Sequence, residues 1–190
     1  MASAMNCNWS NRPSTVNQLL EMTRIIEYFL QPGDVAFGGS QMRLCTVLGS
    51  CVALVFWHPQ RLLGGMCHFM LPRRGGHGAG HLNGRYATEA LMLLFECVHQ
   101  AGARPEQFEV SLFGGADMFP GVERGDAIGI GQQNVNAARR LIQDHKLQCR
   151  AYHVGGRGYR HLVFDVSTGR LQLNHADSVR KVFESPKSNV

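Results

Sequence analysis

Short apolar runs bounded by glycine and proline dominate this chain, and they set its element list. "RLCTVLGS" (43–50) reads as a strand running into a Gly-Ser turn. "CVALVFW" (51–57) and "LGGMCHFML" (63–71) read as two strands joined by "HPQRL" (58–62), a hairpin closed by Pro72. Ahead of them, "EYFLQPGDVAFGG" (27–39) predicts two short strands around a Pro32-Gly33-Asp34 turn. The period then changes. Ala87, Ala90, Leu91, Leu94, Phe95 and Val98 recur at helical spacing, which predicts a helix over 86–100 stopped by Gly102. "FEVSLFGGADMF" (108–119) reads as a strand ending at a Gly pair, and "GIGQQNVNAARRLIQDHK" (129–146) as a second helix. Three short strands with Gly turns follow in 147–156, 159–169 and 170–176, and "ADSVRKVF" (176–183) reads as a final helical turn.

Strands and helices alternate without the regular βαβ spacing of a doubly wound sheet. This predicts an α/β protein of the α+β kind: a mixed, mainly antiparallel sheet sandwich with packed helices, in a single domain. Residues 1–24 are polar and then helix-like at "TVNQLLEMTRII", and read as an N-terminal extension outside the core. Residues 25–183 make the domain, and 184–190 read as a disordered tail.

Composition narrows the function classes. A chain of 190 residues suffices for one domain with a substantial core. No apolar run reaches the ~18–20 residues of a membrane helix, and the N-terminus lacks a basic start followed by an apolar stretch. The expectation is a cytoplasmic protein with no membrane insertion. The six cysteines form no C-x-x-C pair, which argues against a zinc ribbon or thioredoxin motif. In a reducing compartment they are expected as thiols, most of them small core hydrophobes. The net charge of +5 is spread over dispersed Arg with few aromatics, so no nucleic acid partner is expected. A positive surface suits an acidic protein partner instead.

Cys51 is the residue that composition leaves undecided. After Leu48-Gly49-Ser50 it is open to four readings: core filler, disulfide half, metal ligand or nucleophile. A thiol nucleophile needs a base, because the thiolate is the reactive form. A hairpin centred near residues 60 and 61 sets Ala53 opposite His68 and Cys51 opposite Met70. Cys51 and His68 then become diagonal neighbours on one face, with Cβ atoms roughly 7–8 Å apart. A one-residue slip would put them on opposite faces. Gly49 permits a tight bend, a positive φ or a close backbone approach, and N–H groups near Ser50 and Cys51 suit a developing oxyanion. Thr46 and Ser50 are the nearby hydroxyls for orienting the imidazole.

Other chemistries find less support. "RRGGHGAGH" (73–81) and "GGRGYR" (155–160) suit phosphate in principle, yet neither is a nucleotide-binding glycine motif. His77 and His81 are four apart in a glycine-rich loop with no second ligand pair, so neither a metal nor a cofactor is expected. Asp117 and Asp126 read as turn residues.

The blocks "TVLGSCVALVFW", "GGMCHFMLP", "RYATEALMLL", "GARPEQFEVSLFGGADMF", "IGIGQQNV" and "GGRGYRHLVFDVSTGRLQL" resemble, in order, the chemoreceptor glutamine deamidases, the CheD family of bacterial chemotaxis. The resemblance spans about Glu27 to Leu173, with L-G-S-C-V and H-F-M-L-P as its most specific parts. It implies a mixed α/β sandwich that hydrolyses glutamine side-chain amides on the cytoplasmic helices of methyl-accepting chemoreceptors, some members also acting on methyl esters. It implies Cys51 as nucleophile, His68 as base and a Thr shortly before the Cys, here Thr46, with Cys45 one position away. A response-regulator phosphatase of the chemotaxis system is the second implied partner. Arg73 and Arg74, near His68, are the first candidates for steering an acidic receptor surface. The alternative from another class is a non-catalytic adaptor that binds receptors or the phosphatase with the same surface. A transglutaminase-like enzyme would share the thioester.

Overall fold

The glycine and proline punctuation does place the central hairpin. In the computed structural model, which describes residues 5–8, 24–75, 80–118, 128–176 and 178–183, the elements run as follows. Strands β1 (Met5–Asn8), β2 (Ile26–Phe29), β3 (Val35–Gly38), β4 (Met42–Leu48), β5 (Val52–His58) and β6 (Leu63–Phe69) come first. Helix α1 (Ala87–Gln100), β7 (Glu109–Gly114) and helix α2 (Ile130–Asp144) follow, then β8 (Gln148–Val154), β9 (Arg160–Asp165), β10 (Arg170–His175) and β11 (Ser178–Phe183).

The strands form two mixed sheets. One has six strands in the order β1-β3-β6-β5-β7-β8, the other five in the order β11-β10-β9-β4-β2. Every residue of β5 is buried, because helices cover one face of its sheet and the second sheet covers the other. That double cover explains why "VALVFWH" is continuously apolar up to its last residue instead of alternating. Val52, Leu54, Phe56, Cys67 and Phe69 face the helices. Ala53, Val55, Trp57 and Met66 face Leu44, Leu48, Leu162 and Phe164 of the second sheet. The α1 stripe of Ala87, Ala90, Leu91, Leu94, Cys97 and Val98 is buried, each fully buried Leu contributing roughly 1.5–3 kcal/mol.

Three sequence expectations change. "ADSVRKVF" does not close as a helical turn: Ser178–Phe183 is an edge strand antiparallel to β10, with Phe183 opposite Leu171. Val179 and Phe183 are four apart, a spacing that fits one face of a strand as well as one turn of helix. Met5–Asn8, within the segment read as an extension, pairs in parallel with β3. Cys97 is disulfide-bonded, whereas Cys45, Cys51, Cys67 and Cys149 are free thiols. The helix-like stretch 15–23, His77, Asp126 and the 184–190 tail lie outside the described residues.

Candidate active site

β5 and β6 pair antiparallel with Ala53 opposite His68 and Val52 opposite Phe69. Continuing that register by one residue sets Cys51 opposite Met70 and diagonal to His68, as the hairpin centre predicts. Cys51 packs against the cluster between the sheets and is partly exposed at its mouth. His68 is buried with 2% of its surface exposed.

The second sheet supplies the next group. On β4, Leu44, Thr46 and Leu48 point toward the first sheet, and Thr46 is fully buried. Its Oγ1 lies 2.9 Å from the Leu30 carbonyl and 2.9 Å from His68 Nδ1. A carbonyl only accepts, so the single hydroxyl proton goes to Leu30 and the hydroxyl oxygen accepts from the imidazole. His68 therefore carries its proton on Nδ1, and Nε2 keeps its lone pair. That Nε2 is buried and makes no hydrogen bond among the described residues. Cys45 points to the other side of β4, so Thr46, not Cys45, meets the imidazole.

The backbone of His68 is held as well. Its carbonyl accepts from Gly33 N–H at 2.6 Å, and its N–H donates to the Asp34 carbonyl at 3.0 Å. The Pro32-Gly33-Asp34 turn, which carries the chain from one sheet to the other, thus brackets the histidine. Gly33 has φ of 101°, a conformation that favours glycine.

Burial pushes His68 down to about 4, with the Leu30 carbonyl and Asp34 pulling the other way. Burial also raises the Cys51 thiol, while its own backbone N–H lowers it. Near neutral pH both groups are uncharged at rest. The resting pair is a neutral thiol and, diagonal to it across the hairpin, a neutral imidazole.

The turn before Cys51 is tied from below. Gly115 N–H donates to the Cys51 carbonyl at 2.7 Å and Ala116 N–H to the Gly49 carbonyl at 2.8 Å. Gly114 must lack a side chain, since a Cβ there would lie 2.2 Å from the Cys51 carbonyl oxygen. Gly49 does not take the positive φ the sequence allowed; a Cβ there would meet Met118 Sδ at 2.9 Å, so a larger residue would displace the Met118 side chain. Ser50 lines a cleft with Ala116, Asp117, Met118, Ile130 and Gln132. Of its lining residues, Met118 and Ile130 are exposed apolar side chains.

Other sequence candidates are placed elsewhere. Arg74 is engaged by Glu89 through bonds of 2.6 and 2.9 Å and sits over the Tyr86 ring, so it is not free to steer a partner. In "GGRGYR", buried Arg160 donates through Nε to His153 at 2.8 Å and also reaches the Gly155 carbonyl. This segment braces the cleft wall instead of presenting itself to phosphate. His81 is exposed, and among the described residues no group of three His, Cys, Asp or Glu is placed to hold a metal ion. No described helix is long and apolar enough to cross a membrane. Sequence reasoning passed over Asn134 of α2, which is fully buried against the Cys51 turn. Its signal was a polar residue on the stripe of Gly131, Val135 and Ala138.

Fold and site together define a two-sheet α+β protein with a free thiol and a hydroxyl-held imidazole at the mouth between the sheets. Comparison with known proteins adds the lineage. The model of the family described as CheD chemotactic sensory transduction matches residues 70–175. A protein of Pseudomonas syringae pv. tomato named "Probable chemoreceptor glutamine deamidase CheD" is 42% identical over 151 residues, 79% of this chain and 89% of its own. Similar relatives occur in Dechloromonas aromatica, 43% identical over 77% of this chain and 86% of theirs, and in Pseudomonas fluorescens, 44% identical over 78% and 84%. This chain belongs to the CheD family.

Proposed function

We propose that this protein is a glutamine amidohydrolase that converts glutamine side chains on the cytoplasmic helices of methyl-accepting chemoreceptors to glutamate. The observation that carries the mechanism is the hydrogen bond between Thr46 Oγ1 and His68 Nδ1, with the hydroxyl proton spent on Leu30. It leaves Nε2 as the base. Cys51 Sγ attacks the carboxamide carbon as its proton passes to Nε2, giving a tetrahedral oxyanion. Collapse breaks the C–N bond, His68 returns the proton to the nitrogen, and ammonia leaves behind a thioester. Water then attacks, giving a proton to Nε2, and the second collapse yields glutamate and restores the thiol. In this mechanism the Cys51 N–H serves as an oxyanion donor.

The names of the relatives support a chemoreceptor substrate. The exposed apolar residues Met118 and Ile130 lining the cleft suit a macromolecular substrate surface. A response-regulator phosphatase of the chemotaxis system, the second partner in this proposal, would compete with receptor helices at the same mouth.

The test is intact-mass analysis of a receptor cytoplasmic fragment after incubation with the protein. Each converted glutamine adds about one dalton, as amide-to-acid hydrolysis requires. Cys51→Ala and His68→Ala should each abolish the gain while leaving the fold intact. Binding of the fragment with no mass gain from the wild-type protein would reject the enzyme in favour of an adaptor.

A further inference from the structure

Helix α2 turns a stripe of Gly131, Asn134, Val135 and Ala138 inward. Three of these are small or apolar and let the helix come close: a Cβ on Gly131 would sit 2.5 Å from the Ala116 carbonyl oxygen. The fourth is a fully buried carboxamide. Burying such a group without partners is costly, so what it bonds is informative.

Asn134 Nδ2 carries two protons, and it is within bonding distance of two carbonyls. It donates to Ser50 O at 3.0 Å and to Met70 O at 2.9 Å. Ser50 directly precedes Cys51, and Met70 lies two residues beyond His68. One helix side chain therefore joins the two limbs of the hairpin that carry the thiol and the imidazole. The adjoining carbonyls of Gly49 and Cys51 are already held by Ala116 and Gly115 N–H groups. With Asn134 in place, all three carbonyls of Gly49-Ser50-Cys51 are fixed. A trans peptide is planar, with its C=O and N–H pointing in opposite directions. Directing the Ser50 carbonyl at Asn134 therefore turns the Cys51 N–H the other way, toward the side of its own sulfur.

We propose that Asn134 is a positioning residue of the deamidation site, acting through the Ser50–Cys51 peptide to aim the Cys51 N–H at the developing oxyanion. Through Met70 it also holds the end of β6 against the nucleophile turn. The inference rests on the amidohydrolase reading above, and the experiment separates the two. Asn134→Ala removes both donors, and Asn134→Asp keeps the shape but presents none at neutral pH. For each folded variant, kcat and KM on the receptor fragment are measured, together with the rate of Cys51 acylation by p-nitrophenyl acetate, located by peptide mass. Both variants should lose about 10- to 100-fold in kcat and in acylation rate, with KM held within about threefold. Unchanged acylation and kcat in a folded variant would overturn the proposal, as would a rise in KM alone. Failure of both variants to fold would make Asn134 a folding residue and also overturn it. A wild-type protein that is acylated at Cys51 yet leaves the receptor fragment unconverted would reject the deamidase reading, and the acylation rates would still decide the role of Asn134.

Discussion

The β5–β6 hairpin has two faces, and each carries a cysteine and a layer of core. Toward the helices, Cys67 is packed among Val35, Leu54, Phe69 and Leu94, and burial drives its thiol up to about 12. Toward the second sheet, Cys51 lies at the layer's mouth, near a buried imidazole and a buried hydroxyl. The two sulfurs share a hairpin and a residue type. What separates them is access to solvent and an imidazole at the diagonal position across the hairpin, and solvent access is one condition for a reactive thiol. A cysteine closed in by hydrocarbon is a small apolar side chain; the one at the mouth is the nucleophile of the proposed mechanism.

The largest expected effect tests that contrast directly. Cys51→Ala should lower deamidation by on the order of 10³-fold or more, whereas Cys67→Ala should leave kcat within about twofold, both read by intact mass of a receptor fragment. Comparable losses from the two would erase the distinction between the faces. Next comes stability. Leu54→Ala, on the helix face, should cost about 2–5 kcal/mol in urea unfolding and leave kcat per folded molecule unchanged. A loss of kcat there would mean the helix-side layer reaches into the chemistry.

The buried imidazole gives the sheet-side layer its own pH signature. His68 is depressed to about 4 when folded, against about 6.5 for an unfolded histidine. The unfolded chain therefore binds more protons between these values, and stability rises with pH there. The contribution of about 3 kcal/mol is fully present above 6.5 and disappears as pH falls through the folded value. Denaturant titrations from pH 4 to 7 should show this slope in the wild type and a flatter one in His68→Gln. An unchanged slope would place the proton uptake elsewhere. The smallest effect concerns the hydroxyl. Thr46→Val leaves the Leu30 carbonyl and His68 Nδ1 without their shared partner, and should cost about 1–3 kcal/mol of stability. The freed ring should lower kcat about tenfold, with Thr46→Ser retaining most of it. Equal activity in the valine variant would remove Thr46 from the mechanism.

Much of this contrast is legible in the sequence. Pro72, the "HPQRL" connection and the two apolar runs locate the hairpin centre, and a period of two then assigns Cys67 and His68 to opposite faces. Local patterning says nothing of how two sheets stack, however. Leu30, Thr46 and His68 come from three separate strand ends or strands, and their meeting depends on packing between sheets. Asn134 was hidden for a related reason: a helix pattern treats a lone Asn as surface, and only the close approach at Gly131 buries it. β11 was misread because a spacing of four satisfies helix and strand alike, and only the open edge of β10 decides between them.

The bond between Thr46 and His68 has one end in each sheet, so the distance between the sheets also sets the geometry of the candidate site. Gly64, on the strand that carries His68, has Phe164 of the opposite sheet 2.8 Å from where a Cβ would sit. A single methyl group there would act as a wedge, prying the layers apart some four residues from the imidazole. In the proposed mechanism the thickness of the sandwich becomes a catalytic dimension, and Gly64 of β6 guards it.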